Sequence, residues 1–426
     1  MKIGIVTTWF ERGAAYVSRQ YRDVLEPDHE VYIYARGGEN YAIGDPKWDF
    51  EGVHWGKQSL QTDSSGLDMK DFKSWLKNTG VDCVLFNEQQ TWWAVLACRE
   101  MGVKTVAYVD YYTEPVVPLF SFYDVLICNT ERHYSVFNWH PGAHYIPWGT
   151  NTDVFKPQHQ DGRLVDEKCV TFFHSTGMSP SRKGTDLVVR AFSALNCENV
   201  RLVLHTQVSL EPDLGGGFLG HHGEFSDECR DLLDKLVKEG KAEVVHKTVG
   251  APGLFHLGDV YLYPARLDGI GLTVCEALAC GLPAVVPDNG PMNEFVPSDK
   301  VGRRIPVVRY VSRYDGYYWP QCSVDLEALS AVMQWFVDNR EKVPEMKKAS
   351  RKYAVENREW SLCKNQLVAV FEGIKPVVFP ERSEQVSQAK RFKEQKLNRS
   401  RWLRHLGLVN LYRLRGKMDW CGNLRR

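Results

Sequence analysis

Short apolar runs alternate with helical patterns along most of this chain, and that alternation fixes the fold class before any single residue does. The first series of runs reads KIGIVT, EVYIYAR, DCVLFNE, TVAYV, DVLICNT and HYIPW. After the first, Ala14, Val17, Tyr21, Val24 and Leu25 fall at helical spacing, with Gly13 at the helix entrance. A second series starts at CVTFFHSTG and continues through GTDLVVRAFSAL, VRLVLHTQ, SDECRDLLDKLVKEG and AEVVHKTV. Strands joined by helices pair in parallel and carry those helices on their faces. The expectation is α/β, with two doubly wound parallel sheets. The 426 residues suit two or three domains at about 100–200 residues each. The polar stretch QHQDGRLVDEK (158–168) suits a hinge, giving one domain over 1–157 and a second over 158–357.

The stretch Tyr261 to Glu294 carries the chemistry. It reads YLYPARLDGIGLTVCEALACGLPAVVPDNGPMNE. An apolar strand leads into a turn holding Asp268, Gly269, Ile270 and Gly271. A short helix follows from Leu272 to Cys280 and is stopped by Gly281 and Pro283. In open parallel sheets, ligands bind at the carboxyl ends of strands. The first N–H groups of the helix lack internal partners and lie at the positive end of its dipole. A glycine there lets an anion approach the backbone, so Gly269 to Thr273 suits a phosphate or diphosphate. A carboxylate beside a phosphate is repelled by it. Asp268 and Glu276, eight residues apart, are better explained as acceptors for sugar and ribose hydroxyls.

This stretch resembles the signature of the retaining, nucleotide-sugar-dependent GT-B glycosyltransferases of family 4. That family shows two glutamates with seven residues between them, then a helix ending in a small-residue "ACG-P". Here Asp268 stands at the first glutamate and Glu276 at the second, and Ala279-Cys280-Gly281 precedes Pro283. The resemblance implies that Glu276 binds the donor ribose and that Asp268 lies against the donor sugar. A second similar segment runs YDVLICNTERHYSVFNWHPGAHYIPWGTNTDVFKP, with Ile146, Pro147, Gly149, Asp153, Phe155 and Pro157 in place. It implies the end of the first domain. The last helical pattern, 358–374, is then implied to cross back to the first domain.

Further assignments follow from the resemblance. The turn HSTGMSPSRKGTDLVVRAF has Lys183 where the family's lysine holds the donor diphosphate. Met178 stands at the family's arginine position, and Arg182 is a candidate replacement. Arg12 and Gly13 lie in the loop implied to face the diphosphate. The backbone at Lys247 and Thr248 is implied to contact the base. Asp110 ends the run TVAYV, where many relatives place a histidine facing the transferred sugar. It can receive the acceptor proton or a sugar hydroxyl, or cap the next turn. Glu88, Gln89, Gln90, Trp92 and Trp93 also follow a strand. They read as acceptor-site walls or, for the tryptophans, as core. Asp268, Asp110 and Lys183 are the candidate catalytic residues. No Asp-x-Asp motif occurs, so neither a metal nor a cofactor is expected. His221-His222, in a glycine-rich loop, has no ligand partner at metal spacing.

The rest of the sequence sets bounds. The net charge of zero argues against nucleic acid as a partner. Eleven cysteines with no CxxC pair read as reduced thiols of a cytoplasmic protein. MKIGIVTTWF enters a strand without a charged-then-apolar leader, so no export signal is expected. Residues 301–320 read as two strands round Asp315-Gly316, a hairpin over the donor, an acceptor wall or a plain surface hairpin. Residues 375–426 carry fourteen Lys or Arg against four Asp or Glu, with Trp402, Leu403, Leu406 and Val409 as an apolar stripe. Such a tail is either a basic disordered end or a contact with an anionic membrane surface. The expected function is transfer of a sugar from a nucleoside diphosphate sugar to a glycan, lipid-linked or other acceptor hydroxyl, with retained configuration. The alternatives are a non-catalytic nucleotide-sugar or glycan-binding GT-B protein and a nucleotide-sugar epimerase, although the carboxylate pair an epimerase needs is not found.

Overall fold

The computed structural model describes residues 1–37, 41–58, 66–89, 91–158, 169–210, 226–313 and 315–379, together with 384, 386, 387 and 389. Gln90, residues 159–168, the His221-His222 loop and nearly all of the basic tail lie outside the described residues.

Two parallel sheets form, as the alternation requires. The first holds β1 (Lys2–Thr7), β2 (Glu30–Ala35), β3 (Val53–Trp55), β4 (Cys83–Asn87), β5 (Lys104–Tyr108), β6 (Val125–Cys128) and β7 (Ala143–Tyr145). Their order is β3-β2-β1-β4-β5-β6-β7, every pair parallel. The second holds β8 (Val170–Gly177), β9 (Val200–Thr206), β10 (Ala242–His246), β11 (Val260–Leu262), β12 (Ala284–Pro287) and β13 (Gly302–Ile305). Their order is β10-β9-β8-β11-β12-β13. Around the first sheet run α1 (Gly13–Leu25), α2 (Met69–Thr79), α3 (Trp92–Glu100) and α4 (Glu131–Phe137). Around the second run α5 (Thr185–Ser193), α6 (Asp227–Lys238), α7 (Leu272–Ala279), α8 (Leu326–Asp338) and α9 (Val343–Asn357).

Strand side chains alternate between two cores, as a period of two demands. Ile3, Ile5, Leu85 and Ile127 pack with Val17 and Tyr21 of α1. Val6, Val84, Phe86 and Leu126 pack on the opposite face with Phe72 and Trp75 of α2. The outer face of the second sheet has its own core around Phe172, Leu202 and Phe336. The core beneath α1 continues without a break into the second domain through Ile146, Trp148, Trp360, Tyr261 and Ala277.

That continuity comes from the chain crossing twice between domains. Residues 146–157 leave the first domain. The return passes through residues 358–363 into α10 (Lys364–Glu372), and the two passes pair at Thr150 and Glu359. Trp148 and Trp360 lie 4.9 Å apart, and Trp360 Nε1 donates to the Gln20 carbonyl at 3.1 Å. Gly149 is required here, because a Cβ would run into the Arg358 carbonyl.

The hairpin expected within 301–320 is displaced. Residues 302–305 form β13 of the main sheet, and the hairpin is β14 (Val307–Val311) paired with β15 (Gln321–Val324). Residues 312–320 are therefore a long connection, and Asp315-Gly316 turns inside it. The alternation of Val307 to Val311 was legible, but the partner strand lies beyond the turn signal. Among the described residues, no helix is long and apolar enough to cross a membrane. All described cysteines are free, and burial pushes the Cys83 and Cys275 thiols up to about 12.

Candidate functional site

The strand order reverses between β1 and β4 in the first sheet and between β8 and β11 in the second. Ligands bind at such switch points, outside the carboxyl ends of the strands. Here the two switch points face each other. Gly13 opens α1 beyond β1, and a Cβ on it would stand 4.0 Å from Leu272 Cδ1 across the cleft. Gly269 meets Asp110 so closely that a Cβ would overlap its Oδ1. Asp110 ends β5's exit, and Gly269 follows β11.

Gly271 is the N-cap of α7, with φ at 89°, a left-handed value that favours glycine. No side chain caps this helix and no acidic residue sits in its first turn. Among the described residues, no acceptor takes the N–H groups of Leu272 and Thr273, while Val274 already donates to the Gly271 carbonyl at 2.9 Å. The helix thus keeps donors and positive dipole free at the cleft. Gly184 caps α5 in the same conformation (φ 72°), and a Cβ there would overlap the Pro264 carbonyl. That close approach brings Lys183 beside the Asp268 turn.

Lys183 Nζ contacts both the Asp268 carboxylate and the Tyr263 hydroxyl, and Tyr263 also donates to Asp268. Arg182 Nη1 reaches Asp268 Oδ1 at 3.2 Å and the Leu267 carbonyl at 3.3 Å. Burial opposes ionisation of Asp268, but Lys183 and Arg182 outweigh it and hold the carboxyl far below the usual carboxylate range. Burial dominates for Lys183, lowering its ammonium to about 8 despite Asp268. Both cations expected at a diphosphate are therefore paired with the one Asp268 carboxylate, which leaves the cluster net positive.

Glu276 lies one turn into α7 and is half-buried. Burial raises its pKa to about 7, and Lys183 opposes the rise. Its carboxylate hydrogen-bonds no other described side chain. Beside it, Tyr261 donates to Thr273 Oγ1 at 2.9 Å.

On the facing side, Asp110 is hydrogen-bonded to Glu88. Burial comes first, then the charge and hydrogen bond of Glu88, in raising the Asp110 pKa well above the carboxylate range. Glu88 has φ at 51°, unusual for a residue with a side chain and a hallmark of functional sites. Arg36 helps to hold it there. Its guanidinium donates to the Asn87 carbonyl at 2.6 Å, the Glu88 carbonyl at 3.3 Å and Thr8 Oγ1 at 2.8 Å.

Several side chains at this site carried no local signal. The 312–320 connection spans the cleft, where Tyr317 stacks on Tyr111 at 5.2 Å and donates to the Asp110 carbonyl at 3.2 Å. Thr113 and Tyr317 form a β-bridge between domains. The Glu294 carboxylate accepts from the N–H groups of Glu131 and Arg132 at 2.8 and 3.0 Å, capping α4 from the other domain. The remaining candidates are less enclosed. Lys247 and Thr248 are exposed beyond edge strand β10, Arg12 is exposed, and Met178 is 65% exposed. Trp92 is core. Among the described residues, no group of three or more His, Cys, Asp or Glu is placed to hold a metal.

Comparisons with known proteins bear on the family and the fold. Residues 159–353 match the family model described as "Glycosyl transferases group 1". A lipopolysaccharide core biosynthesis mannosyltransferase, LpsB, of Rhizobium meliloti is 30% identical over 119 residues, covering 27% of this chain and 30% of that protein. A GDP-mannose-dependent alpha-(1-6)-phosphatidylinositol monomannoside mannosyltransferase of Mycolicibacterium smegmatis is 24% identical over 265 residues, covering 57% of this chain and 59% of that protein. The chain thus spans less than two thirds of the curated relatives it matches. In fold it is similar to Anabaena Alr3699/HepE, solved with UDP and glucose, at 15% identity and a TM-score of 0.66 over 87% of this chain and 99% of that one. Two Rossmann-like domains facing a cleft are the GT-B architecture.

Proposed function

We propose, from the match of residues 159–353 to the family model of the group 1 glycosyl transferases, that this chain moves a sugar from a nucleoside diphosphate sugar to an acceptor hydroxyl with retained anomeric configuration. The observation that carries the reading is the uncapped start of α7 at Gly271, with Lys183 and Arg182 beside it and Glu276 one turn in.

In this reading Glu276 accepts from the ribose hydroxyls, and the backbone beyond β10 at Lys247 and Thr248 borders the base. The diphosphate rests on the N–H groups from Ile270 to Thr273, facing Gly13. As the bond from C1 to the diphosphate oxygen breaks, negative charge grows on the leaving oxygen. Lys183, Arg182 and the start of α7 stabilise that charge without reorganising. The acceptor oxygen bonds to C1 on the face the diphosphate leaves, and the departing phosphate oxygen takes the acceptor's proton. Asp268 orients the sugar once the diphosphate draws its cations away. Asp110 and Glu88 hold acceptor or sugar hydroxyls on the opposite wall. No metal enters this scheme.

The test is a panel of nucleoside diphosphate sugars incubated with the full chain, read by release of the nucleoside diphosphate. GDP-mannose and UDP-glucose come first, because one relative is GDP-mannose-dependent and one structural neighbour was solved with UDP and glucose. Release that rises on adding a glycan or lipid-linked acceptor supports the transferase. The second reading is a non-catalytic binder, favoured by the pairing of Asp268 with both Lys183 and Arg182. Saturable binding with no release under any acceptor supports it.

The lipid side of the acceptor class makes the basic tail relevant. Residues 375–426 bring a net charge of about +10 and the apolar stripe at Trp402 to Val409 to a chain of zero net charge. They are proposed to rest on an anionic membrane, on its cytoplasmic face. Co-sedimentation with phosphatidylglycerol vesicles, lost on deleting 380–426 and absent with phosphatidylcholine, is the expected result. Equal sedimentation of both forms overturns it.

A further inference from the structure

A line of hydrogen bonds connects four separate segments of both domains and ends on the donor loop. Trp319, in the connection between β14 and β15, donates from Nε1 to the Tyr112 hydroxyl at 2.7 Å. Tyr112 follows β5, and its hydroxyl lies 2.9 Å from His133 Nδ1. His133 belongs to α4, and its Nε2 lies 3.0 Å from the Gly269 carbonyl. A carbonyl only accepts, so Nε2 carries the proton and Nδ1 accepts from Tyr112. Tyr112 and His133 are almost wholly buried. Burial and the neighbouring Arg132 charge hold the imidazole pKa at about 3, so the ring stays neutral with a single proton.

The far end of this line is the turn that opens α7. A trans peptide sets its carbonyl and the next N–H in opposite directions. Fixing the Gly269 carbonyl therefore fixes the Ile270 N–H, the first of the amides at the start of α7. Gly269 also packs on Asp110, so its peptide has little freedom on either side. We propose that His133 is a positioning residue, one that holds the Gly269 peptide so that the diphosphate-binding amides are aimed before a donor arrives. Tyr112 and Trp319 in turn lock the imidazole in the tautomer that can do this. The inference rests on the donor-site reading above.

The experiment uses the full chain and its His133→Phe, His133→Gln and His133→Asn forms, each titrated calorimetrically with UDP, GDP and ADP. Gln carries an amide N–H at about the reach of Nε2, whereas Asn reaches only to Nδ1. For whichever nucleotide the parent binds, the Phe and Asn forms are expected to bind about tenfold more weakly, the worth of one hydrogen bond. The Gln form is expected to stay within about twofold. Melting temperatures that fall alike for Phe and Gln would separate positioning from mere packing. Nitrogen-15 NMR of His133 is expected to show the proton on Nε2, unchanged from about pH 5 to about pH 8. Parent-like affinity in the Phe form, or a proton on Nδ1, overturns this inference while leaving the donor site standing. No binding of any of the three nucleotides by the parent overturns both.

Discussion

Arg266 holds Asp186 through two hydrogen bonds of 2.8 Å each, and both side chains are almost fully buried. Arg266 follows β11, and Asp186 lies in the first turn of α5. The same guanidinium donates to the Ser181 carbonyl at 2.6 Å, and the Arg266 N–H donates to the Arg182 carbonyl at 2.8 Å. The turn that offers Lys183 is thereby fastened to the turn that offers Asp268. Removing one member leaves the other charge buried and unpaired, which costs about 3–5 kcal/mol. Arg266→Ala is therefore expected to lower unfolding free energy by about that amount in a urea titration. A paired Arg266→Leu, Asp186→Leu form is expected to recover most of it. If the single variant unfolds like the parent, the pair is not what joins the two turns.

Lys183 supplies a second prediction. Its ammonium, lowered to about 8 from an unfolded value of 10.5, makes the unfolded chain bind more protons between those values. Its burial therefore costs stability below about pH 8, and that cost is relieved as pH rises from 8 towards 10.5. A bound diphosphate adds negative charge beside it and raises its pKa. Nucleotide binding at about pH 8.5 is expected to take up protons, seen as a dependence of calorimetric heat on buffer ionisation enthalpy. Lys183→Met is expected to abolish that dependence and weaken binding by about 10- to 100-fold, the loss of one charge-assisted hydrogen bond.

Glu276 titrates with the opposite sign. Its folded value of about 7 exceeds its unfolded 4.5, so the folded chain holds the extra proton. The stability it contributes is fully present below 4.5 and is lost as pH rises through about 7. Ribose hydroxyls need the ionised carboxylate as acceptor, so nucleotide affinity is expected to climb from about pH 6 to about pH 8 as stability falls. Glu276→Gln is expected to be more stable than the parent at about pH 8, by about 1–3 kcal/mol, and to lose the pH dependence of binding. A flat affinity profile in the parent would remove Glu276 from the ribose.

The parallel α/β fold was legible because its signal is local and repeated. Most strands of the main sheets are short apolar runs, although β13 (GRRI) is not, and most helices have their own period. Exceptions follow the same logic. β3 is only Val53 to Trp55, too short to carry a pattern. In α1 it is Ala15, not Ala14, that is buried, since a helix face is read only to within a residue. The Asp268 turn stood out in the sequence because Asp268, Gly271 and Glu276 sit within nine residues and resemble a family pattern. What was not legible depends on tertiary contact. His133 meets Gly269 across 136 residues and Tyr317 meets Asp110 across 207. A lone histidine in a helix and a tyrosine in a loop carry no local mark of either meeting. The same holds for the Asp268 ion cluster, where each member was identified singly but their pairing needed the folded chain.

The contact between Gly269 and Asp110 gives the last prediction, and it concerns coupling across the cleft. A Cβ at Gly269 would overlap Asp110 Oδ1, so Gly269→Ala must displace the aspartate or part the domains. Asp110 is hydrogen-bonded to Glu88, whose left-handed backbone is itself costly, so displacement disturbs both acids. Overpacking of this kind costs about 1–3 kcal/mol. Asp110→Ala removes the obstructing oxygens and makes room for the methyl group. The double variant is therefore expected to recover at least about 1 kcal/mol of the sum of the two single losses. Simple additivity would mean that the domains relax apart without cost at this point, and that the cleft wall of Asp110 and Glu88 is not held against the donor loop. Activity separates the two roles further. If Asp110 touches the transferred sugar or the acceptor, the double variant regains stability but not turnover, whereas an aspartate that only fills space lets both return together.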